Sequence, residues 1–160
     1  MIVVTPTETC VLTSKSNEDG KHLSIYLGGS IDYDWHSKVI AKIANSSIDY
    51  GRDTVIYNPR KTQSFNDSDC HELLSGESWR DKCTKKSDII IVNFVPDYED
   101  GLYFLADSEL RNRLVVLCPY EHKHFNTIRY VCDEYRIYFV TGNTIDENNI
   151  LESLCEFISK

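Results

Sequence analysis

No stretch of this 160-residue chain is apolar for long enough to cross a bilayer, so the sequence offers no helical membrane span. Its amino terminus, Met-Ile-Val-Val-Thr-Pro-Thr-Glu, has neither the basic start nor the long apolar centre of a secretory leader, and a cytoplasmic location is expected. Cationic side chains are scarce: 17 Lys and Arg stand against 25 Asp and Glu, a formal net charge of −8. Polymeric nucleic acid is held largely by Lys and Arg contacts to phosphates, so that class of partner is not expected. A single nucleoside or nucleotide, which needs only a few placed donors, stays compatible with this charge. Cys-x-x-Cys pairs are missing too, because Cys10, Cys70, Cys83, Cys118, Cys132 and Cys155 are scattered, several of them inside apolar runs. They read as reduced, buried thiols rather than disulfides or a metal centre. The five histidines (His22, His36, His71, His122 and His124) show no metal-like spacing with carboxylates or cysteines, and His122 and His124 read as a surface loop. No cofactor is implied. Internal repeats and low-complexity segments are absent, and the length suits one domain with a core that is stable unaided.

What is present is an alternation of strand and helix patterns. Residues 1–22 read as an N-terminal extension, with short strands at 2–5 and 9–13 and a polar loop at 14–20; residues 23–160 read as the main domain. Residues 23–31, Leu-Ser-Ile-Tyr-Leu-Gly-Gly-Ser-Ile, form a buried strand that stops on Gly28-Gly29-Ser30. Two missing side chains there let another molecule approach the backbone, although a plain tight turn has the same sequence. A helix is predicted from about Asp34, with Trp35, Val39, Ile40, Ile43 and Ala44 on one face. A strand at 54–57 runs into Asn58-Pro59-Arg60-Lys61, where proline ends the ladder. After a polar loop at 62–70, helical character returns between about Cys70 and Lys86. Residues 88–96 are the clearest strand, apolar on both faces and so central. An acidic loop at 97–101, a helix at 102–110, a strand at 114–118, a helix at 125–135 and a strand at 137–140 follow. In the last helix Thr144 reads as N-cap with Glu147 three residues on, ahead of a stripe of Ile150, Leu151, Leu154, Phe157 and Ile158. The pattern predicts an α/β fold: a doubly wound parallel sheet of about five strands with helices on both faces, Rossmann- or flavodoxin-like.

Three strand ends carry polar punctuation: Gly28-Gly29-Ser30, Asn58-Pro59-Arg60-Lys61, and residues 93–96. In a parallel sheet these ends share one edge and converge on one crevice. Their order and spacing resemble the nucleoside 2-deoxyribosyltransferase family. The resemblance rests on Leu-Gly-Gly-Ser-Ile at 27–31 followed by Trp35, on Asn58-Pro59-Arg60, and on Trp79 placed nine residues before Asp88. It continues through residues 115–119 and Asn126 to Val-Cys-Asp-Glu-Tyr at 131–135. It implies a glycine turn against which a sugar and base lie, with Gly28, Gly29, Ser30, Asn58, Arg60 and Phe104 around the ligand. It also implies a homo-oligomer in which Asn126 contacts the sugar's 5′ end in a neighbouring subunit. In that family a Glu on the helix after the third strand attacks the anomeric carbon, because the transition state is oxocarbenium-like and a covalent glycosyl intermediate splits one hard step in two.

The catalytic set departs from the family. Counting back from residues 115–119, the nucleophile's position falls on or near Phe104, which neither attacks nor ionises. Asp107 and Glu109 lie about one helical turn away or more, Asp67 is a displaced candidate in the loop after Asn-Pro-Arg, and Glu99 and Asp100 belong to the preceding loop. The expectation is therefore a binder of a nucleoside, nucleotide or related ribosyl compound without turnover. The alternatives are an active transferase or N-glycosidase using Asp67, Asp107 or Glu109, and a partner-binding domain whose pocket is filled. Each residue also has a plainer role: Trp79 as core, Arg60 as a cap or carboxylate partner, Asn126 as a helix cap, and the acidic run at 97–100 as a solvated loop.

Overall fold

In the computed structural model of the chain, residues 1–5, 22–46, 53–60 and 79–160 are described. Six strands form one sheet: β1 (Ile2–Val4), β2 (His22–Gly29), β3 (Asp53–Tyr57), β4 (Ile89–Asn93), β5 (Leu114–Pro119) and β6 (Tyr138–Gly142). Their order is β1-β3-β2-β4-β5-β6, and every pairing is parallel. The expected α/β class is therefore present, with one strand more than the sequence suggests. The extra strand comes from the stretch read as an extension, since Ile2, Val3 and Val4 pair with Val55, Ile56 and Tyr57 at the sheet edge. The expected strand at 9–13 lies outside the described residues.

The period-2 alternation of the strands divides the core in two. On one face Ile25, Leu27, Ile89, Ile91, Val115 and Leu117 meet Val39 and Ile43 of α1 (His36–Ala44) and Ile150 and Leu154 of α5 (Glu147–Ile158). On the other, Tyr26, Ile90, Val92, Val116 and Cys118 meet α2 (Trp79–Lys86), α3 (Leu102–Ala106) and α4 (Phe125–Tyr135) through Trp79, Cys83, Phe104, Ile128 and Cys132. Helices on both faces explain why β4 and β5 are buried along their whole length. No described helix is long and apolar enough to cross a membrane.

Several local expectations shift. The last helix is capped by Asp146, not Thr144: its carboxylate accepts from the backbone N–H of Asn148 and Asn149, at 2.9 and 3.0 Å, and Asn149 Oδ1 accepts in return from Asp146 N–H. This is the same reciprocal cap, moved two residues along because Asp146 has the extended backbone an N-cap needs. The helix expected at 102–110 ends at Ala106, where Asp107 turns extended and its Oδ1 accepts from Glu109 N–H at 2.9 Å. Asn126 is not the cap of α4, because His124 holds that place. At the opposite end of the sheet, the Arg113 guanidinium donates to the carbonyls of Thr84, Lys85 and Ser87 and so satisfies the end of α2.

Candidate functional site

The chain leaves β2 toward β3 on one side of the sheet and returns past it to β4 on the other, so the loops after β2 and β4 diverge. Such a switch point opens a crevice at the carboxyl ends of the strands. A cavity of about 410 Å³ lies there. Tyr26, Gly29 and Ser30 come from the end of β2, and Ile31 and Asp32 from the turn that follows. Pro59 arrives from the end of β3, and Asp97, Tyr98, Glu99 and Asp100 from the loop after β4. That loop is turned at its root by Asn93, whose Oδ1 accepts from Val95 N–H at 3.1 Å.

Both sides of the wall carry a phenol and carboxylates: Tyr26 and Asp32 on the β2 side, Tyr98 among Asp97, Glu99 and Asp100 on the other. Asp32, Asp97, Glu99 and Asp100 supply four carboxylates, and none of the described residues lining the cavity is basic. Lys123, from the loop after β5, pairs with both Asp97 and Glu99. Burial pushes the Tyr26 phenol well above its ordinary range, and the neighbouring Tyr98 adds to the shift. Tyr98 is pushed up to about 12, again by burial first and by Asp100 second. Both phenols therefore keep their protons at neutral pH and can donate toward a ligand. The arrangement offers donors and acceptors around a space of ordinary small-molecule size.

The residues singled out by sequence divide sharply. Gly29 and Ser30 line the cavity, but Gly28 does not. A Cβ at Gly28 would lie 3.0 Å from the Ile91 carbonyl and 3.3 Å from the Phe104 ring. A Cβ at Gly29 would come within 2.5 Å of the Trp35 indole, so this glycine makes room for a core ring rather than for a ligand. Phe104 is fully buried, 5.8 Å from the Tyr26 ring, and belongs to the core beneath the turn instead of the cavity wall. Asn58 is spent on the chain itself: its Oδ1 accepts from Arg60 N–H at 3.0 Å, and its own N–H donates to the Val4 carbonyl. Arg60 pairs with Asp34 and does not reach the lining. Asn126 stands exposed on α4. Asp107 and Glu109 lie on the turn after α3, away from the lining, and Asp67 lies outside the described residues. Trp79 is core, as its helical neighbours suggest.

The acidic loop is solvated as expected; what sequence reasoning missed is that it also borders the crevice, with Tyr98 within it. The available signal was position: the run follows Pro96, at the end of the strand next to β2. His122 was also misread. Its side chain is fully buried, packed edge-on against Phe94 at 5.3 Å, whereas His124 beside it stays partly open. Among the described residues no group of three or more His, Cys, Asp or Glu could hold a metal ion. No protein-family model matches the chain, and no curated protein matches it.

Proposed function

We propose that the switch-point cavity binds an uncharged, hydroxyl-rich ribosyl compound of the nucleoside type, without turning it over. The observation that carries this reading is the composition of the wall: two protonated phenols and four carboxylates, with no cation among the described lining residues. Carboxylates accept well from sugar hydroxyls, and phenols serve as donor or acceptor to either sugar or base. The nucleoside 2-deoxyribosyltransferase-like order of the strand-end motifs supports the ligand class. The charge of the wall narrows it. A phosphate about 6 Å from one carboxylate meets a repulsion on the order of 1–3 kcal/mol, for effective dielectric constants of about 80 down to 20. Nucleosides are therefore favoured over nucleotides: Arg60 is held by Asp34, and Lys123 offsets only Asp97 and Glu99 of the four carboxylates.

A second reading has one observation in its favour. The acids missing from the family's position are present in another place, since Asp97 and Glu99 both border the cavity. An N-glycosidic enzyme would use one as nucleophile on the anomeric carbon and the other to manage the proton of the departing base, with water completing hydrolysis. Titration calorimetry with adenosine, 2′-deoxyadenosine, thymidine and their 5′-monophosphates, coupled to chromatography for free base, separates the two. Binding of a nucleoside without base release supports the binder. Base release lost in Glu99→Gln or Asp97→Asn establishes the enzyme, and binding by neither set of probes leaves the partner-binding alternative. A homo-oligomer belongs to the same proposal, with the exposed Tyr130 and Asn126 approaching a neighbour. Light scattering that gave the 18.5 kDa monomer would remove that element.

A further inference from the structure

The loop after β5 places a buried histidine behind the acidic wall. The His122 side chain has no exposure, and Phe94 closes one flank of the ring. Its Nδ1 accepts from the backbone N–H of His124 at 3.1 Å. In the neutral ring the proton must then sit on Nε2, because Nδ1 is already the acceptor. That Nε2 is buried and has no hydrogen-bond partner within normal distance among the described residues. The nearest acceptor is Asp97 Oδ1 at 3.6 Å, on a carboxylate that lines the cavity and is otherwise more than half exposed. A buried donor facing a half-free acceptor, a few tenths of an ångström beyond bonding distance, is the geometry of a pair that a small side-chain motion closes.

We infer that His122 is a positioning residue: its fixed Nε2–H holds the Asp97 carboxylate in one orientation toward the cavity. This rests on the cavity being the ligand site, but the orienting contact itself does not require a particular ligand. Burial keeps His122 neutral to lower pH than an ordinary histidine, with Asp97 acting against that shift and His124 adding to it. The groups facing the ring are Asp97 across the cavity loop, His124 on its own loop, and the apolar Phe94. Lys123 also touches Asp97, at 3.5 Å, but from an exposed position and while paired with Glu99. Its ammonium sets charge; the buried imidazole sets direction.

The test compares wild type with His122→Phe, which keeps a ring against Phe94, His122→Gln, whose amide nitrogen can reach the place of Nε2, and Lys123→Ala. In the absence of ligand, nitrogen NMR of wild type should show His122 as the Nε2–H tautomer. Side-chain three-bond couplings should show one rotamer for Asp97 in wild type, His122→Gln and Lys123→Ala, and averaged rotamers in His122→Phe. With 2′-deoxyadenosine as probe, binding should weaken on the order of tenfold in His122→Phe and recover in His122→Gln. An Asp97 that stays ordered in His122→Phe, or one released by Lys123→Ala instead, overturns the inference. A wild type that fails to bind any nucleoside removes the proposed function, while the Asp97 couplings still decide the role of His122.

Discussion

His36 is the first residue of α1, fully buried and stacked on Trp35 with ring centroids 4.1 Å apart. Burial pushes its pKa down to about 4, against which the Leu27 backbone acts only in part. The folded value lies below the unfolded one, so the unfolded chain binds the proton more readily and the fold loses stability as pH falls. From an unfolded pKa of 6.5 to a folded value of about 4, the full effect is on the order of 3 kcal/mol. Most of it appears before the folded group titrates: between about pH 7.5 and pH 5 the loss is about 2 kcal/mol. For a domain of this length that corresponds to a fall of about 4–8 °C in Tm. Urea unfolding at the two pH values, in wild type and in His36→Phe, isolates the contribution. The buried His122 contributes in the same direction, but it remains in both proteins and cancels in the difference. Asp34 and Asp146, whose pKa values are lowered, lose their stabilising charge only further down, through the acid range. The variant should show a pH dependence smaller by about 2 kcal/mol over this interval. Equal pH dependences in the two proteins would refute the assignment of a neutral buried His36.

Other outcomes follow from packing. Gly29→Ala should destabilise by about 1–3 kcal/mol through overpacking against Trp35, and Trp35→Leu in the same chain should recover part of the loss; additive effects in a double-mutant cycle would show that the two do not meet. Phe104→Ala should cost about 3–5 kcal/mol in urea unfolding, as expected for a fully buried ring, and a loss below about 1 kcal/mol would place the ring at a wettable wall instead. Arg113→Ala leaves the carbonyls at the end of α2 without their guanidinium and should cost about 1–2 kcal/mol, with faster amide exchange in α2 as the local signature.

The sheet was legible because its signal is local. Residues such as Ile89, Ile90, Ile91 and Val92 are apolar in every phase, and a strand covered on both faces has no other pattern. The short strand at the amino terminus was read, but not its place in the sheet, since Ile2, Val3 and Val4 join it through their register with β3, a contact between distant parts of the chain. The acidic loop is solvated as read, but its place beside the crevice was not legible: a run of carboxylates has the same sequence whether it borders open solvent or a crevice. Only the strand order decides, by placing that loop beside the end of β2. The burial of His122 was hidden likewise, because Phe94, which covers it, sits at the end of another strand. At Gly28-Gly29 the groups that come close to the backbone are the protein's own: the Ile91 carbonyl and Phe104 ring at Gly28, and the Trp35 indole at Gly29.

That last point shapes how a ligand enters. Successive residues of a strand face opposite sides of the sheet, so the two glycines open opposite sides. The space beside Gly28 is taken by Phe104 on one face, and the space beside Gly29 by Trp35 on the other. Neither gap is left for a sugar or a base. The free volume lies further out, between the turn after β2 and the loop after β4, where Tyr26 closes the inner end and the carboxylates stand toward solvent. A ligand approaching from outside would therefore meet negative charge before it met Tyr26. Under the proposed nucleoside binding, charge would select at the mouth and hydrogen bonding at the base, and the buried Phe104 would take part in neither step. Phe104 lies in the core and the cavity in the loops, so a side chain at position 104 that neither attacks nor ionises is compatible with the proposed binding.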